Sequence, residues 1–174
     1  MIRFFDRLRR WAGRDPDRSG PESGTDDQRF GTGLWRHNRD RFLRAVDRYY
    51  TTALALHEAR TCDDAIDIIV DGTHRLNSLV PVVDDITAAL HRTHPVTGQI
   101  VPGPARQALG DAPELLTKAS SKVAEAVLAA SMARSEAPAG KPIESSARAT
   151  ERFISDAEEL LERARQNLAR LEQP

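Results

Sequence analysis

Between Ile66 and Leu90 the apolar and near-apolar positions fall at Ile66, Ile69, Thr73, Leu76, Val80, Val83, Thr87 and Leu90. The intervals alternate three and four, an a/d seam that excludes a strand, where sidedness repeats every two residues. Three more stretches carry helical seams. Trp35, Phe42, Tyr49 and Leu56 recur every seven residues, with Val46 and Ala53 alongside, and predict a helix from Leu34 to Arg60. Leu116, Ala119, Val123, Ala126, Ala130 and Ala133 predict another, with Asp111 and Pro113 marking its start by capping and first-turn proline preferences. Ala147, Thr150, Ile154, Ala157, Leu161, Ala164, Leu168 and Leu171 predict the last, from about Ser146 to Glu172.

The breaks between these seams are chemically marked. Thr61 can cap the helix that restarts at Asp63 and Asp64. Residues 91–104 hold three prolines and two glycines and predict the longest loop. Inside the second helix, Gly72 costs about 1 kcal/mol relative to Ala. Pro81 removes one backbone bond and clashes with the carbonyl of Asn77, so a kink or a break is expected there. Thr73 and Thr87 can place their hydroxyls on carbonyls one turn back. The predicted fold is all-α, an antiparallel four-helix bundle over residues 34–174. The alternative closure is a long hairpin paired with a second copy, a homo-oligomer.

Ahead of the bundle the pattern changes. Over residues 1–14, Phe4, Phe5, Leu8 and Trp11 share one arc of a helical wheel, and Arg3, Arg7, Arg10 and Arg14 lie opposite. Gly13 is a natural stop. Residues 15–33 are rich in Gly, Pro, Ser and Asp and predict a disordered linker.

Composition narrows the classes. The net charge of −1 gives no overall pull toward nucleic acid, and no recognised nucleic-acid motif is present. Arg outnumbers Lys 22 to 3, the bias of a GC-rich bacterial genome. The single cysteine, Cys62, allows no intramolecular disulfide and fits a reducing cytosol. No run of apolar residues reaches the roughly 18 that a spanning helix needs, and the N-terminus lacks a secretory h-region. These features predict a cytoplasmic protein.

Candidate chemistry is sparse. There is no nucleophile elbow, Walker A loop, dinucleotide turn or Cys-x-x-Cys, so the chain is read as non-enzymatic and without a cofactor. Asp71-Gly-Thr-His74 approaches the Glu-x-x-His pattern of di-iron bundles once, which leaves Asp71 and His74 as weak metal candidates. His37, Arg41, Arg44 and Arg48 form a charged stripe on the first bundle helix. Two readings fit it: pairing with the Asp-rich second helix, or a surface for an acidic partner, phosphate or lipid.

Residues 1–14 carry the sharpest functional signal. A basic, aromatic amphipathic helix beside a linker has the pattern of an anchor that lies on an anionic membrane. Each Arg near such a surface adds about 1 kcal/mol, while ordering the backbone costs about 1 kcal/mol or more per residue. Binding would therefore be weak and salt-sensitive. The expected function is a helical scaffold or adaptor, attached peripherally at the inner face of the plasma membrane. The alternatives are a bundle holding a metal or small ligand, and a cytosolic module whose N-terminal helix enters a partner-protein groove.

Overall fold

The computed structural model describes residues 21–59 and 64–171. Every regular element among them is helical: α1 (Pro21–Phe30), α2 (Leu34–Glu58), α3 (Asp64–Thr93), α4 (Gly103–Leu109), α5 (Ala112–Glu136) and α6 (Glu144–Leu171), with a 3₁₀ turn at Ala137–Ala139. The four predicted seams correspond to α2, α3, α5 and α6. Residues 1–14 and Thr61–Asp63 lie outside the described residues, and with them the amphipathic helix and the Thr61 cap.

The seams form the core. Trp35, Phe42, Tyr49 and Leu56 of α2 are fully buried, and so are all six seam residues of α5. On α6 the seam is buried from Ala147 to Leu168, and Leu171 emerges into solvent. Fully burying a large apolar side chain stabilises a fold by about 1.5–3 kcal/mol. Ala at four of the six α5 seam positions lets neighbouring backbones approach closely, and α5 has its most extensive packing against α6.

Each long helix packs on two others around a ring: α2 on α3, α3 on α6, α6 on α5 and α5 on α2. Directions follow from cross-helix pairs. Arg39 meets Asp84 and Tyr49 meets Ile69, so α2 and α3 run opposite ways. Asp111 meets Asn167, Lys122 meets Asp156 and Glu136 meets Ser146, so α5 and α6 do too. Between hairpins the sense is the same. Asn38 near the start of α2 touches Thr117 near the start of α5, and Gly72 and Arg75 of α3 face Ile154 and Glu158 of α6. Two sides of the ring are therefore antiparallel and two parallel, where the seams had suggested antiparallel neighbours throughout. The connection after α3 leads to the diagonal helix, and α4 lies within it. Leu109 and Ala105 of α4 and Val96 before it are buried, so this segment closes one end of the core.

Three local features differ from expectation. First, residues 21–30 form a helix within the stretch read as a disordered linker, and Phe30 is buried. Its polarity had hidden the anchoring: Phe30 lies under the guanidinium of Arg39, 4.1 Å from the ring centroid, while Asp26 and Asp27 pair with Arg36. Second, α3 is continuous through Pro81, so of the kink or break expected there the break is ruled out; the Pro81 ring faces solvent, and the seam shifts, with Leu79 buried and Val80 only partly so. Third, Asp111 makes no cap bond to α5. Its carboxylate accepts from Asn167 Nδ2 instead and ties the first turn of α5 to the last of α6.

The start of α2 is fixed by close approach. Trp35 Nε1 donates to the His94 carbonyl at 2.9 Å, and Leu34 N donates to the Gly98 carbonyl at 3.0 Å. A Cβ at Gly33 would overlap the Val96 carbonyl, so only glycine lets the segment after α3 lie against this turn.

Candidate functional site

The charge pairing between α2 and α3 is present, but other residues make it. Arg39 Nε donates to Asp84 Oδ1 at 2.6 Å, with the side chains only 12% and 18% exposed. Arg29 of α1 reaches Asp85 at 3.3 Å. Arg36 binds Asp40 one turn on. Arg39 is the hub: it pairs with Asp84, contacts Asp26 and Asp40, and stacks on Phe30. Its planar fork allows all of these at once, which a lysine ammonium could not do.

Arg41, Arg44 and Arg48 are exposed on the outward face of α2, and no acidic side chain among the described residues pairs with them. Neither of the two acids beside them forms an ion pair with them. Asp40 accepts from Arg36. Asp47 is partly buried, and desolvation raises its carboxyl above the ordinary range. The stripe faces solvent as three arginines without an ion-pair partner among the described residues. His37 continues it toward the start of the helix and is also exposed.

The neighbouring face of α5 adds a feature that sequence reading passed over. Leu128 and Met132 are 66% and 56% exposed, one turn apart. The signal was available: both lie off the alanine seam, at a spacing of four. The register set by Asn38 and Thr117 places Arg48 at the height of Val127, ten residues along each parallel helix. Unpaired arginines and exposed apolar side chains thus share one side of the ring. Elsewhere on α5, Lys118 pairs with Glu114 and Lys122 with Glu125 and Asp156. Opposite, along α3, Asp64, Asp67 and Asp71 are exposed.

Asp71 and His74 lie on the exposed surface of α3. Among the described residues no group of three or more His, Cys, Asp or Glu side chains comes together to hold a metal ion. Between α3 and α6, Arg75 holds Glu158 through both carboxylate oxygens and donates to Ser155 Oγ at 2.8 Å. The bond to Glu158 raises the Arg75 pKa and fixes the guanidinium as a helix-to-helix tie.

An open cleft of about 620 Å³ lies between α1 and α3, bordered by Arg29, Asp85, Ala88, His91 and Arg92. The Arg29–Asp85 pair joins the two helices here, so the cleft is the groove where α1 rests on α3. The eight N-terminal positions singled out for membrane or partner binding (Phe4, Phe5, Leu8, Trp11, Arg3, Arg7, Arg10 and Arg14) lie outside the described residues. No described helix is long and apolar enough to cross a membrane. No family model, no curated protein and no solved structure matches this chain.

Proposed function

We propose that this chain is a non-enzymatic scaffold or adaptor, a four-helix bundle held at an anionic membrane surface by residues 1–14. The observation that carries the reading is the separation of Phe4, Phe5, Leu8 and Trp11 from Arg3, Arg7, Arg10 and Arg14 on a helical wheel. Aromatic side chains enter the headgroup boundary while arginines meet lipid phosphates. The closed ring of α2, α3, α6 and α5 supports a bundle that serves as a compact body behind this anchor. Because each contribution is small, attachment is reversible and falls with salt.

The direct test is flotation of the full chain, and of the chain lacking residues 1–14, with phosphatidylserine-containing vesicles. The reading expects recovery of the first and loss of the second. Equal recovery would remove residues 1–14 as the anchor. Retention of both in the soluble fraction, with a protein captured from the native host through residues 1–14, would favour a partner groove instead.

A further inference from the structure

We infer that the α2–α5 face is a second lipid-contact surface, which lays the folded body flat on the anionic membrane. The inference rests on the membrane reading above, but its residues are separate from the N-terminal anchor. Arg41, Arg44 and Arg48 are exposed without a carboxylate partner among the described residues, whereas Arg36 and Arg39 on the same helix are engaged in ion pairs. Long arginine side chains can spread along the surface and place their guanidinium groups among lipid phosphates. On the adjacent parallel helix, Leu128 and Met132 stand exposed one turn apart, near the height of Arg48. Shallow apolar insertion beside arginine is the composition of an interfacial contact.

The rest of the molecule orients the contact. The ring puts the α3–α6 side opposite the α2–α5 side. Asp64, Asp67 and Asp71 are exposed along α3, so an anionic surface repels that helix while it attracts α2. On α6 the exposed charges are of both signs, including Arg148, Glu151, Glu159 and Arg163. A chain of net charge −1 would have little reason to approach an anionic bilayer as a whole; with its charges sorted by face, it approaches in one orientation. Arginines without an ion-pair partner among the described residues, flanked by apolar side chains on two exposed parallel helices, suit a planar, phosphate-rich surface.

Four variants of the full chain test this, floated on phosphatidylcholine vesicles with and without phosphatidylserine. R41E/R44E/R48E should lower the bound-to-free ratio on anionic vesicles by about tenfold or more. L128S/M132S should lower it about threefold on the same vesicles. R148E/R163E, the same type of reversal on the opposite side, should change it by less than about twofold. All seven residues changed in these three variants are exposed, and circular dichroism should report unchanged helicity. If R41E/R44E/R48E floats like the parent, the α2–α5 face is not a lipid contact, and the N-terminal anchor still stands. If F4S/F5S/L8S/W11S floats like the parent while R41E/R44E/R48E does not, the face stands and the anchor falls. If R41E/R44E/R48E keeps its flotation but loses retention on immobilised polyglutamate, the face serves an acidic protein and the lipid assignment is overturned.

Discussion

The hydroxyl of Tyr49 occupies the space that a side chain at Gly72 would need. Tyr49 Oη donates to the Ile69 carbonyl at 2.7 Å, and a Cβ built on Gly72 would overlap Tyr49 Oη and lie 2.7 Å from Ile154 Cδ1. Three helices meet at this point. Burial pushes the Tyr49 phenol well above its ordinary range, so it remains a neutral donor.

Gly72→Ala should therefore destabilise the fold by about 1–3 kcal/mol through overpacking, although alanine is the better helix former by about 1 kcal/mol. Tyr49→Phe should cost about 1 kcal/mol for the lost hydrogen bond. With Tyr49→Phe already in place the overlap with the hydroxyl is gone, and Gly72→Ala should cost distinctly less than it does alone. Urea midpoints of the parent, the two single variants and the double variant measure this coupling, which should exceed about 0.5 kcal/mol. Additive effects would show that Gly72 is there for another reason.

The two seam threonines of α3 should respond differently to replacement by valine. Thr73 Oγ1 donates to the Val70 carbonyl at 2.6 Å, as the sequence had suggested for both. Thr87 does not follow: its hydroxyl is fully buried and has no hydrogen-bond partner among the described residues. Thr87→Val removes an unsatisfied polar group at nearly constant volume and should stabilise by about 1 kcal/mol or more. Thr73→Val should be neutral or destabilising by up to about 1 kcal/mol. Thermal melts of the two variants check the difference.

Those threonines show how far pattern reading reached. Which residues enter the core was legible because burial imposes a period on the sequence, and nearly every seam position on α2, α5 and α6 is buried. The parallel sides of the ring were not legible. Seam spacing records which face of a helix is buried, but not which neighbour covers it. The α1 strap was missed because a single aromatic, Phe30, anchors a polar stretch and leaves no periodicity. At the candidate surface, the stripe Arg41, Arg44 and Arg48 could be read from the sequence. Its lack of partners could not, because Arg39, one position before Asp40, is the residue that takes Asp84.

Arg39 should hold α1 in place. Arg39→Ala removes a shielded ion pair and the cover over Phe30 together. Amide hydrogen exchange over residues 24–31 should accelerate by about tenfold or more, with α5 and α6 protected as before. Phe30→Ala should give the same local pattern, and raised salt a weaker version of it. Uniform acceleration across all helices would mean that α1 is part of the cooperative core.

Asp47 offers a pH test. Its carboxyl is raised by desolvation in the folded state, so the folded chain binds that proton more tightly than the unfolded chain. Stability contributed by this group then increases as pH falls through the raised value, and the penalty for ionisation is present at neutral pH. Asp47→Asn should raise the melting temperature slightly at pH 7, by the equivalent of under about 1 kcal/mol. The difference should shrink and vanish in acid. A difference that grows toward acid would reverse the assignment.

Membrane attachment through the N-terminus can be read from tryptophan alone. The chain has two tryptophans. Trp35 is fully buried and bonded to the His94 carbonyl, which leaves Trp11 as the reporter. Emission of the full chain should be titrated with phosphatidylserine vesicles that carry brominated acyl chains. Trp11 insertion should produce quenching of part of the emission, reversed by salt and absent in Trp11→Phe. Emission unchanged by the vesicles, or quenching that persists unaltered in Trp11→Phe, would contradict the anchor.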